Sequence, residues 1–73
     1  MMSRTQEMEV LEHEIRDDER RLRSLERAPR EGRWTRGDTE WIDACANQQT
    51  RINVMRLHLI GLRLADRLED ELA

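Results

Sequence analysis

The sequence predicts an all-α fold, an antiparallel hairpin of two helices with coiled-coil-like packing, and three observations carry it. Apolar residues recur at alternating steps of three and four on both sides of a single break. The one proline and two of the three glycines lie in that break, at Pro29, Gly32 and Gly37. Tyr and Phe are absent and aromatics make up 3% of the chain, too few for a β core.

The first helix is expected over residues 3–28. Ser3 and Gln6 match a capping box. Met8, Leu11, Ile15, Leu22 and Leu25 follow as one narrow apolar seam, interrupted at Asp18. Glu12 with Arg16, Asp17 with Arg21 and Glu19 with Arg23 each place an acid four residues before a base, the order that supports a solvated helix. Residues 29–38 read as the loop. The second helix is expected over 39–71, with Asp38 as N-cap and Glu40 and Asp43 suiting the positive end of the helix dipole.

A short loop folds the two helices back on one another. In an antiparallel register Leu22 faces Cys45, Ile15 faces Ile52 and Met8 faces Leu59. The same register sets Asp18 opposite Gln48 or Gln49, a polar pair within the seam, and Arg4 near Asp66 or Arg63. The single domain therefore spans residues 1–73.

The second helix carries two apolar stripes. Trp41, Cys45, Ile52, Met55, Leu59 and Leu62 match the seam of the first helix. Leu57, Ile60, Leu64, Leu68 and Leu72 lie on the opposite side. A row of five aliphatic residues is a large patch to leave bare. A 73-residue chain with 37% hydrophobic residues and one cysteine has a small core and no internal disulfide. Two-fold self-association into a four-helix bundle is the expected answer, with the second helix outrunning the first by about two turns.

Composition narrows the function classes. A net charge of −3 gives no global attraction to nucleic acid. No apolar run reaches the ~18 residues of a membrane span, and the N-terminal stretch lacks a secretory apolar region, so a soluble cytoplasmic protein is expected. All 13 basic residues are arginine, which fits a G+C-rich bacterial or phage genome. No catalytic constellation, phosphate loop, cofactor motif or small-molecule site is legible. Glu9, His13 and Asp17 share a helix face, but a metal site needs ligands converging from several elements. Cys45 belongs to the inner seam and reads as a small core residue.

The loop contains Arg30, Arg33, Trp34 and Arg36, and Trp and Arg are the residue types most enriched at binding hot spots. The Arg36-Gly37-Asp38 tripeptide is accounted for by a turn and a helix cap. The expectation is a non-enzymatic, dimeric protein-binding module, in concrete form a phage- or plasmid-type modulator or inhibitor of a host protein. A nucleic-acid-binding regulator using this loop and the edge Arg56, Arg63 and Arg67 ranks behind it, together with a structural coiled-coil adaptor.

Overall fold

The computed structural model describes residues 2–32, 34–35 and 37–72. Two helices account for nearly all of them: α1, Arg4–Arg27, and α2, Thr39–Leu72. They pack antiparallel into a rod with principal extents of 55 × 18 × 16 Å.

Each boundary has a local cause. Ser3 accepts a hydrogen bond from the Gln6 backbone N–H, and the Gln6 side chain accepts from the Ser3 N–H, a complete capping box. At the other end, Pro29 cannot supply the N–H that would continue α1. The chain turns through bonds from Arg30 N–H to the Arg27 carbonyl and from Gly32 N–H to the Pro29 carbonyl. Gly32 has φ 77°, a left-handed conformation that any side chain would strain. Asp38 Oδ1 accepts from the Glu40 N–H at 3.0 Å and caps α2.

The core is one line of side chains between the helices. Leu11, Ile15, Ile52, Met55 and Leu59 are buried, with Met8, Leu22 and Leu62 packed against them. Leu25, Trp41 and Cys45 are half-buried toward the loop end. Trp41 Nε1 donates to the Leu25 carbonyl at 2.7 Å, which ties the start of α2 to the last turn of α1.

Asp18 is the exception in this line, only 2% exposed. Its carboxylate lies 2.7 Å from Arg51 Nε and 3.3 Å from Arg21 Nη1. The Oδ2 atom facing Arg51 receives no directed hydrogen bond, so charge holds that contact. Gln48 Nε2 donates to the Asp18 backbone carbonyl at 3.3 Å and not to its side chain. The carboxylate's partners are thus two arginines whose long side chains reach in from the rim.

Ion pairing also differs from the sequence expectation. Glu12 bonds Arg63 at 3.0 Å and Glu19 meets Arg56 at 3.2 Å, both across the helices. Asp17 pairs with Arg20 and Asp18 with Arg21 at i, i+3. The expected pairs of Glu12 with Arg16, Asp17 with Arg21 and Glu19 with Arg23 are not made. Glu12 and Glu19, at the rim of the seam, pair with arginines of the facing helix and not with those of their own.

At the open end Arg4 reaches Asp66 at 3.7 Å and Glu69 at 2.6 Å. The hydrogen bond and charge of Arg4 hold the Glu69 carboxyl below its ordinary value. Helix α2 has 34 residues against 24 in α1, so it outruns α1 at this end, and the long Arg4 side chain reaches along the projecting part.

Candidate functional site

Two surfaces remain once the inner seam is assigned. The first is the outer side of α2. Leu57 is 68% exposed, Ile60 and Leu64 51% each, Leu68 54% and Leu72 86%. At 100° per residue these five centre about 180° from Ile52, Met55, Leu59 and Leu62. Val54, 60% exposed, extends the row by one turn toward the loop. Gly61 falls among these residues, and a Cβ built on it would meet nothing within 4 Å. A hollow of about 160 Å³ between Ile60, Arg63, Leu64 and Arg67 flanks the row.

The contrast with α1 is sharp. Its apolar residues nearly all face α2, and among the described residues of α1 only Val10, at 42%, is a well-exposed large aliphatic.

The second surface is at the loop end. Arg23, Glu26, Arg27, Arg30 and Trp41 line an open groove of about 560 Å³. Among the described residues no ion pair reaches Arg23, Arg27 or Arg30. Arg23 and Arg27 stand one turn apart on α1, and Arg30 follows in the turn just beyond its end. The bond from Trp41 Nε1 to the Leu25 carbonyl fixes the indole at the groove's edge. Trp34 is half-buried and Arg30 exposed. Arg33 and Arg36 lie outside the described residues.

Charge divides the rod the same way. Residues 20–51 hold eight arginines against five acids, and the remainder holds five arginines against eleven acids. The loop half is basic and the half containing both chain ends is acidic.

The arginine edge fares differently from the groove. Arg56 and Arg63 are engaged with Glu19 and Glu12, which leaves Arg67 as the member without an ion pair among the described residues. Sequence reasoning singled out Arg30 but passed over Arg23 and Arg27. Their spacing with Arg30 was legible; their lack of acidic partners was not, because Glu19 turned to α2.

Groups suited to other chemistry are dispersed. His13 Nε2 lies 3.5 Å from Asp17 Oδ2, which shares that carboxylate with Arg20. Among the described residues no group of three His, Cys, Asp or Glu side chains converges as a metal site would require. Burial, and then the nearby charge of Glu26, push the Cys45 thiol up, so its nucleophilic thiolate form is scarce at neutral pH. Among the described residues no helix is long and apolar enough to cross a membrane.

Comparison with protein-family models, with curated proteins and with solved structures finds no match to this chain.

Proposed function

We propose that this hairpin is a non-enzymatic interaction module that pairs with a second copy of itself through α2 and presents its basic loop ends to an acidic segment of another protein. The observation that carries the reading is the exposed row of Leu57, Ile60, Leu64, Leu68 and Leu72. Fully burying an aliphatic side chain contributes about 1.5–3 kcal/mol, and these are already about half covered or less. Ten such residues across two copies are enough to offset an association cost of roughly 4–15 kcal/mol and leave a micromolar dimer. A second copy suits the row because both surfaces are then the same length and equally apolar.

Charge supports the second half of the reading. Arg23, Arg27 and Arg30 offer planar donors with no ion-pair partner among the described residues, and Trp41 offers a fixed ring beside them. Glu26 in the same groove disfavours a continuous phosphate backbone and suits a peptide that carries donors as well as carboxylates. A small modulator that holds a host protein at each loop end of a dimer is the concrete form.

Capture from bacterial lysate with and without nuclease tests this, using the wild type and Arg27→Glu. The reading expects a protein that survives nuclease, is lost with Arg27→Glu, and binds directly once purified. Capture abolished by nuclease would replace the peptide with nucleic acid, and its affinity would then fall steeply with salt.

A further inference from the structure

The self-association just proposed leaves open how four helices meet, and the structure restricts the answer. In a square four-helix bundle each helix touches two neighbours, so each needs two apolar faces. Helix α2 has two, but they point in opposite directions. Helix α1 has one, and it is spent on α2. Its outward side carries Glu9, His13, Arg16 and Arg20, all exposed. A square bundle would instead bring a flank of α1 about 90° from its seam, where Glu14, Asp17 and Arg21 lie, against a second hairpin and leave part of the α2 row uncovered.

We propose instead that two copies form a flat layer in the order α1, α2, α2, α1, with the two α2 helices antiparallel across a two-fold axis beside Leu64. This rests on the self-association reading and goes beyond it in naming the geometry. Centring the axis on the row covers it from end to end. Leu57 of one copy then stands opposite Leu72 of the other, and Gly61 opposite Leu68. Gly61 is costly within a helix and nothing in a single hairpin explains it, since a Cβ there meets open space. In the layer it has a use: the bare backbone leaves room for the facing Leu68. The loop ends, each about 25 residues along α2 from the axis, project roughly 75 Å apart. The two basic grooves therefore sit at opposite tips, too far apart for one small partner to bridge.

Cysteine cross-linking in a Cys45→Ala background tests the geometry, after sedimentation has established the oligomeric state and circular dichroism the fold. Mixing Leu57→Cys with Leu72→Cys is expected to give the mixed disulfide, while Leu57→Cys alone stays largely reduced. Spin labels at Glu9→Cys are expected beyond about 25 Å, because three interaxial spacings of 8–10 Å separate the α1 helices. Gly61→Ala is expected to raise the melting temperature at high dilution yet weaken dimerisation by about tenfold, the scale of a modest overpacking penalty. A dimer that cross-links Leu57 to Leu57, brings the α1 labels within one spacing, or tightens on Gly61→Ala would overturn the layer and leave self-association standing. A monomer at every concentration would remove self-association itself.

Discussion

The two faces of α2 are built from the same residue types and meet opposite fates. Ile52, Met55 and Leu59 are buried, Ile52 to 1% exposure, while Leu57, Ile60, Leu64, Leu68 and Leu72 are at least half exposed. Hydrophobicity alone does not separate them. What separates them is the supply of partners: α1 provides one narrow seam, and a single seam covers a single face. A helix with two such faces is half a structure, and the uncovered face reports on what the protein meets.

Substitutions that act on one face alone break this comparison most strongly. Ile52→Ala is expected to cost about 2–5 kcal/mol and to unfold much of the protein at room temperature, because its cavity lies between both helices. Leu64→Ala at high dilution is expected to change stability by less than about 0.5 kcal/mol, since it removes exposed surface. Thermal melts of the two variants side by side check the contrast. Equal losses would mean that the outer row already packs within the single hairpin.

Smaller effects sharpen the picture at the loop. Gly32→Ala is expected to cost about 1–2 kcal/mol by forcing a side chain into left-handed backbone, read as a lower urea midpoint with unchanged slope. Trp41→Phe keeps the ring but loses the bond to the Leu25 carbonyl, a loss of about 1 kcal/mol. Asp18→Leu is expected to be neutral or stabilising, because burying a carboxylate consumes much of what Arg51 and Arg21 return.

The weakest effect concerns pH. Arg4 lowers the Glu69 carboxyl from its ordinary value, so the folded state favours the ionised form. That contribution is present at neutral pH and is lost as acid protonates Glu69 below the ordinary carboxylate range. Acid titration of Glu69→Gln against the wild type, followed by circular dichroism, should show a slightly flatter profile for the variant.

Much of the fold was legible in the sequence because helical periodicity and punctuation agree. The capping box at Ser3, the stop at Pro29 and the cap at Asp38 are local signals, and all three are found where the residues suggest. The polar seam position at Asp18 was legible too, but its partners were not. Register places Cβ atoms, whereas Arg51 and Arg21 reach Asp18 with long side chains that register does not constrain. The same flexibility redirected Glu12 and Glu19 to the facing helix. The groove of Arg23, Arg27 and Arg30 was hidden for that reason: Glu19, four residues before Arg23, pairs with Arg56 across the helices. Gly61 left a legible mark, a glycine within a long helix, whose meaning appears only once its surroundings are seen to be empty.

Sedimentation equilibrium of the wild type and of Leu64→Arg across the micromolar range tests the central claim, that the outer face of α2 is covered by a second copy. The account predicts a concentration-dependent shift from hairpin to dimer in the wild type, and a folded monomer throughout for Leu64→Arg. A wild-type monomer at every concentration, or a Leu64→Arg variant that dimerises as tightly as the wild type, would contradict it.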